Sequence, residues 1–375
     1  MTEATGTATA AERIAHERRM KHTPLVVQAM RRPELGAIAG LAVVIAFFLW
    51  NADASMFTLA GAMTVLAPAS ELGILAIAAA LLMIGGEFDL SIGSMMAFAG
   101  LVLGVCLVVL GWPFEAALAG AFAVAAMLGV LNGQIVIRTR LPSFIVTLAF
   151  LFILRGLSLV GLKAATGGST QLRGIAEAAG DAPLAGLFQG VAFSGLFRWL
   201  AEMGLIGRFP SGMPTVAGMP VSILWFIGFA ALATWVLLKT DIGNWIFAAG
   251  GDANAARNSG VPVSAVKTGL FMTTACAAAL VATLQVMNTG STDALRGDQK
   301  EFEAIIAAVI GGCLLTGGYG SAIGAFFGAI IFGTVSIGLT YTRIDSDWFK
   351  VFLGGMLLLA VLFNNFIRKK VTGER

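Results

Sequence analysis

From Val65 to Ile84 the chain reads VLAPASELGILAIAAALLMI, twenty residues with a single charge, Glu71. About 20 consecutive apolar residues are what an α-helix needs to cross the hydrocarbon core of a bilayer. Runs of this kind recur along the chain and give ten candidate spans, at roughly 34–51, 65–84, 92–112, 114–137, 143–162, 221–239, 267–288, 303–316, 321–341 and 348–366. The composition agrees: 58% of the residues are hydrophobic and only 12% charged, where soluble domains carry about 25% charged residues. The runs are continuously apolar rather than alternating, which fits a lipid-facing β-barrel poorly. The 47 glycines suit helices that pack closely through small residues inside a membrane. The expected fold is therefore an all-α polytopic membrane protein of about ten transmembrane helices. It comprises one membrane domain over 34–366, between tails at 1–33 and 367–375.

The eighth run is too short to cross alone and leads into the glycine-rich TGGYGS, 316–321. It is expected to be a broken or half helix, which is tolerated at membrane depth only inside protein or beside a water-filled cavity. Ten spans place both termini on one side, and the positive-inside rule assigns that side to the cytoplasm. Fifteen of the 24 Lys and Arg then lie inside. The eight outside are Lys163, Arg173, Arg198, Arg208, Arg296, Lys300, Arg343 and Lys350, and Arg155 falls within a span. Residues 163–220 become an external segment whose apolar patches are too interrupted to span. Residues 240–266 become a cytoplasmic loop. No cleavable signal peptide is expected, since roughly 35 mostly polar residues precede the first apolar run. The two histidines, His16 and His22, fall in that N-terminal tail, which reads either as a basic amphipathic helix on the membrane surface or as a disordered tail. Cys106, Cys276 and Cys313 lack metal or redox spacing and read as small buried hydrophobes. No catalytic residue and no metal site is expected.

Polar islands interrupt this apolar sequence. MIGGEFDLSIGSMMAFAG (83–100) and VIGGCLLTGGYGSAIGAFFG (309–328) share a pattern. Each ends an apolar helix with a glycine pair, Gly85-Gly86 or Gly311-Gly312. Each then opens the next helix near a Gly-Ser pair, Gly93-Ser94 or Gly320-Ser321, which would suit a parallel internal repeat. Isolated charges in hydrocarbon cost roughly 2.5–3.5 kcal/mol or more at the centre. Glu87 and Asp89 should accordingly sit just beyond a helix end, with Asp89 or Ser91 capping the next helix. Lining a solute path or moving in gating is compatible with that role. Glu71 and Arg155, in or near spans, require partners or water, and Asn132 and Gln134 read as interhelical hydrogen-bonding groups. Within the inner loop, residues 252–259 form a short helix closed by Gly260. Ala253, Ala255 and Ala256 would leave it a small-residue face that a partner can approach closely.

Four stretches, in order, resemble the ribose-type permease subunits of ATP-binding-cassette sugar importers. They are GGEFDLSIGS (85–94), PSFIVTLAFLFILRG (142–156), GNWIFAAGGDANAARNSGV (243–261) and EAIIAAVIGGCLLTGGYGSAIGAFFGAIIFG (303–333). The resemblance covers about residues 60–366. It implies a permease of the inner membrane, working as a homodimer or a pair of related permeases around one pathway. It also implies a cytoplasmic ATPase subunit and a periplasmic or extracellular solute-binding protein that delivers a sugar-like solute. By the same resemblance 252–260 is the helix that docks in the ATPase, with Gly250, Gly251, Ala255, Ala256, Arg257, Ser259 and Gly260 as coupling residues. Gly86, Glu87, Asp89, Ser91, Gly93, Ser94, Gly311, Gly312, Gly318 and Gly320 become pathway and hinge residues. The chain carries no GxxxxGK[ST] phosphate loop, so ATP and Mg are expected in the partner ATPase, with no cofactor here. Nucleic acid is not an expected partner. Glu87 stands where many members of that family have an uncharged residue, and 163–220 is long, which leaves pentoses, hexoses, polyols, nucleosides and signalling sugars open as substrate. The competing reading is a secondary transporter driven by an ion gradient, with Glu71, Glu87 and Asp89 as ion-binding acids.

Overall fold

The computed structural model describes residues 33–345 and 347–372; the N-terminal tail with His16 and His22 lies outside them. Fourteen α-helices are found among these residues. They run as α1 (Pro33–Asn51), α2 (Leu59–Ile84), α3 (Ile92–Gly104, continued by a π-turn at Val105–Val109), α4 (Phe114–Thr139) and α5 (Ser143–Thr166). The external segment holds α6 (Ile175–Ala179) and α7 (Ser194–Glu202). Then follow α8 (Val221–Lys239), α9 (Asp241–Gly251), α10 (Ala253–Asn258), α11 (Val263–Thr289), α12 (Lys300–Ile310), α13 (Ala322–Gly338) and α14 (Trp348–Thr372). Among the described residues, eight helices are long and apolar enough to cross a membrane, corresponding to eight of the ten expected spans. The exceptions are α12, with 11 residues, and α14, whose described apolar stretch is Trp348–Leu362. α14 also runs on to Thr372, through most of what the sequence reading set aside as a tail.

Two helices form the centre. α2 and α11 are buried over most of their length. α2 packs against α8, α11, α12 and α13, and α11 packs against α3 and α4. Between apolar helices in a bilayer it is close van der Waals contact that holds the bundle, so small residues set the crossings. Gly333 of α13 lies on Ala69 of α2, and Gly73 of α2 leaves the space that the Phe226 ring of α8 fills. That ring stacks on Phe326 of α13, centroids 4.3 Å apart. Hydroxyls and amides sewn between helices satisfy their polar groups. Ser70 donates to Ser222 at 2.8 Å and Gln134 to Thr268 at 3.0 Å.

The segment 163–220 does not span. It pairs with the rest through two short antiparallel ladders. β1 (Gln171–Arg173) meets β4 (Ser291–Asp293) with Leu172 opposite Thr292, and β2 (Val191–Ala192) meets β3 (Met219–Pro220) with Val191 opposite Pro220. The first ladder ties the external segment to the strand that leads into α12. Cys106 and Cys313 are buried and all three cysteines are free thiols.

Candidate functional site

Three helix ends share one construction. α2 stops when the Gly85, Gly86 and Glu87 N–H groups turn back to the carbonyls of Leu81, Met83 and Leu82. α12 stops in the same way, with the N–H groups of Gly311, Gly312 and Cys313 donating to Ala307, Val309 and Ala308. α10 repeats it with Ser259, Gly260 and Val261 donating to Ala255, Arg257 and Ala256. In each the middle residue is a left-handed glycine: Gly86 at φ +81°, Gly312 at +91° and Gly260 at +88°. This is the glycine cap that satisfies orphan carbonyls at a helix C-terminus, and a Cβ there would be strained.

The glycine pairs expected as hinges at the ends of α2 and α12 match each other bond for bond. The Gly-Ser pairs do not. Ser321 precedes α13 and caps it, its Oγ accepting from the Gly324 N–H at 3.0 Å. Ser94 instead lies inside α3, buried, its Oγ without a hydrogen-bond partner. The echo therefore covers the helix stops and not the helix starts.

Beyond the caps, backbone touches backbone. Gly250, near the end of α9, leaves no room for a side chain: a Cβ there would stand 1.8 Å from the Ile84 carbonyl oxygen and 2.8 Å from the Gly318 nitrogen. A Cβ on Gly317 would stand 2.7 Å from the Gly250 oxygen and 2.8 Å from the Gly86 Cα. Gly318 donates its N–H to the Ile84 carbonyl at 2.9 Å, and Gly320 packs on Ile84 and the Cys313 sulfur. The inner loop is thus jointed directly to the end of α2 and to the loop between α12 and α13 through Gly86, Gly250, Gly251, Gly317 and Gly318. Gly317 had no signal of its own in a stretch already rich in glycine.

From this joint α10 projects. Asp252 caps it, its Oδ1 accepting the Asn254 and Ala255 N–H groups at 2.8 and 3.0 Å. Those bonds hold the Asp252 carboxyl below its ordinary range. The cap is therefore complete at and above the unfolded carboxylate range and is lost only as pH falls through the depressed value. Asn254, Ala255, Arg257, Asn258, Ser259 and Gly260 are exposed. Ala256 is not: it is buried in the chain's own core, so the small-residue face expected for a partner reduces to Ala255. Arg257 reaches back to Asn254 at 2.9 Å.

The residues after Gly86 rise into the bundle as an extended brace. Glu87 pairs with Lys267 of α11 at 2.5 Å, both side chains mostly buried. The Phe88 N–H donates to Ser143 and the Leu90 N–H to Thr147, each at 3.0 Å, both hydroxyls on α5. Asp89 is buried. Its Oδ1 accepts the Ser91 N–H at 2.8 Å and the Ser91 hydroxyl at 2.6 Å, and its Oδ2 accepts the Thr274 hydroxyl at 2.6 Å. Asn132 of α4 donates to the Ser91 Oγ at 3.1 Å. Neither Asp89 nor Ser91 caps α3, whose N-terminus lacks a side-chain cap; the carboxylate holds the loop to α11 instead.

A second polar network lies between α2, α5 and the segment before α12. Gln285 donates to Glu71 at 2.8 Å and accepts from Arg296 at 3.1 Å. Arg155 pairs with Asp298 at 3.2 Å and donates to the Ala294 carbonyl at 3.3 Å. Both intramembrane charges named from sequence are thus partnered. Their partners, Gln285 and Asp298, lie more than 100 positions away. Sequence reasoning also missed Glu301, which is only 3% exposed and lies in the notch of Gly93, its Oε2 without a hydrogen-bond partner.

Comparison with known proteins agrees with this architecture. Residues 61–361 match the family described as branched-chain amino acid transport system / permease component. The ribose import permease protein RbsC of Escherichia coli K12 is 32% identical over 314 residues, 83% of this chain and 87% of the relative. The xylose transport system permease protein XylH of the same strain is 29% identical over 362 residues, 89% and 92% of the two chains. The xylose/arabinose import permease protein XylH of Sulfolobus acidocaldarius is 28% identical over 339 residues, 87% and 83%. No solved structure matches the chain. A polytopic membrane protein that matches over residues 61–361 belongs to this family of transport permease components, as the four motifs from Gly85 to Gly333 led us to expect.

Proposed function

We propose that the chain is the membrane-spanning permease of an ATP-binding-cassette importer for a pentose or similar sugar, with xylose and ribose the first solutes to test. The names of its relatives support that substrate class and displace the ion-gradient reading. In this proposal two copies of the chain enclose the pathway in the inner membrane, with both termini cytoplasmic. An ATPase subunit that uses ATP and Mg seats the exposed side of α10. A solute-binding protein docks on the opposite side, over 163–220. The observation that carries the proposal is the glycine joint. It places Gly250 of the α9–α10 unit in main-chain contact with Ile84 and Gly318. A push on α10 then reaches the end of α2 and the loop between α12 and α13 with no flexible side chain between. Closure of the ATPase subunits would use this route to shift the permease between outward- and inward-open states.

Two substitutions one residue apart test it. Ala255→Trp adds bulk on the exposed side of α10 and should abolish copurification of the ATPase in mild detergent while the permease stays folded. Ala256→Trp forces the same bulk into the core and should lower the yield and thermal stability of the permease itself. Full retention of the ATPase by a folded Ala255→Trp chain would move the docking site elsewhere. If the unsubstituted chain, expressed with its neighbouring genes, brings down no ATPase at all, the importer reading fails.

A further inference from the structure

The approach to α12 is a re-entrant segment, and its depth can be read from α3. Thr292 lies against Gly100, and Gly297 and Glu301 lie against Gly93. Between these levels the chain descends seven residues of α3, about 10 Å at 1.5 Å per residue. Gly100 itself touches Val286, close to the Thr289 end of α11, and Thr274 binds Asp89 just before α3 begins. Gly93 is therefore level with the middle of the 27-residue α11. α12 starts at mid-depth and runs only the remaining half.

At that depth the segment exposes what lipid does not accept. Asp298, paired with Arg155, has 58% of its side chain exposed, Gln299 is exposed, and the backbone from Ala294 to Gln299 is not helical. Non-helical backbone and ionised side chains at membrane depth occur only inside protein or along water. Phe302 stands on the same exposed stretch with Leu295, 51% and 70% exposed. Buried beside Gly93 lies Glu301, with an oxygen lacking a hydrogen-bond partner.

We propose that this face lines a water-filled cavity at mid-depth and contacts the solute there, with Asp298 and Gln299 hydrogen-bonding to hydroxyls and the Phe302 ring packing against a sugar's C–H face. The inference rests on the permease reading and gives it a place for the solute, an uncharged polyhydroxylated molecule. An acceptor, an amide and an aromatic ring form the polar-plus-apolar mixture that binds such a ligand. The ion pair to Arg155 holds Asp298 in place while leaving it exposed.

The test uses the full chain with its ATPase in lipid nanodiscs. Cysteine is placed at Gln299 or Phe302, and for comparison at Phe152 or Val160, which are exposed on the membrane-spanning α5. The unsubstituted chain serves as the blank for Cys106, Cys276 and Cys313. A sulfonate-bearing thiol reagent should label positions 299 and 302 at least about ten-fold faster than 152 and 160, because a charged reagent is excluded from hydrocarbon. Saturating D-xylose or D-ribose should slow that labelling. In parallel, Phe302→Trp should change the ratio of D-xylose to D-ribose uptake several-fold. Labelling at 299 and 302 no faster than at 152 and 160 overturns the proposal, meaning either lipid or a sealed contact with a second copy covers the face. Fast labelling that neither sugar slows, with an unchanged uptake ratio, leaves a water-filled cavity but overturns solute contact. Co-elution of the ATPase in the same samples reports on the importer reading separately.

Discussion

Replacing Gly250 by alanine adds one methyl group at the point where α9 meets the end of α2. Its carbon would stand 1.8 Å from the Ile84 oxygen, whereas carbon and oxygen normally approach no closer than about 3.3 Å. The two must part by roughly 1.5 Å, the difference between those distances. The same oxygen accepts the Gly318 N–H at 2.9 Å, so the separation also breaks that bond. Overpacking costs about 1–3 kcal/mol and a buried donor left unpaired about 1–3 kcal/mol. Together these amount to about 2–6 kcal/mol, a large part of a typical total stability of 5–15 kcal/mol. Gly251, the next residue, has nothing within 4 Å of the position its Cβ would take, so Gly251→Ala serves as the matched control. Each variant is purified with the ATPase, its thermal midpoint is measured in nanodiscs, and sugar uptake is followed in proteoliposomes. Gly250→Ala should lower the midpoint and reduce uptake at least about ten-fold, since about 1.4 kcal/mol on a conformational equilibrium is a factor of ten. Gly251→Ala should leave both near the unsubstituted values. Equal behaviour of the two variants would refute the close-packed joint.

Asp89→Asn keeps the shape of the brace and an oxygen for Ser91, and the Thr274 hydroxyl can turn to accept from the new amide. The variant should fold and bind the ATPase, with uptake reduced; unchanged uptake would remove any role for the charge. For the Glu87–Lys267 pair, a double-mutant cycle with Glu87→Gln and Lys267→Met should give a coupling energy of about 1–3 kcal/mol in unfolding measurements. Additive effects would show that the pair contributes nothing beyond its two members.

What could be read from sequence depended on whether the signal was local. Apolar runs announce spans because length and hydropathy are properties of consecutive residues, and eight of the ten expected spans are long helices. The helix stops at Gly86, Gly260 and Gly312 were legible because a left-handed glycine cap is itself local. The short helix before Gly260 was placed correctly for the same reason. The direction in which Ala256 points depends on how α10 sits on the core, and no spacing within ANAARN encodes that. Thr274, Ser143 and Thr147 are hydroxyls in apolar helices, invisible until the Asp89 loop is folded against them. The descent of 294–299 into the bundle was masked by its own polarity. Arg296 and Lys300 were counted as external for that reason, yet they lie at the mouth of a half helix.

The joint at Gly86, Gly250 and Gly317 contains only main chain, and this has a consequence for the conditions under which it works. A contact between peptide groups has nothing to titrate, nothing to oxidise and no net charge for dissolved ions to screen. The Glu87–Lys267 pair beside it is an ion pair, and charges are what dissolved ions screen. The contact of Gly250 with Ile84 and Gly318 should therefore hold equally in dilute and in concentrated salt. Sensitivity to salt in this part of the molecule belongs to the brace, and sensitivity to acid to the Asp252 cap, not to the joint.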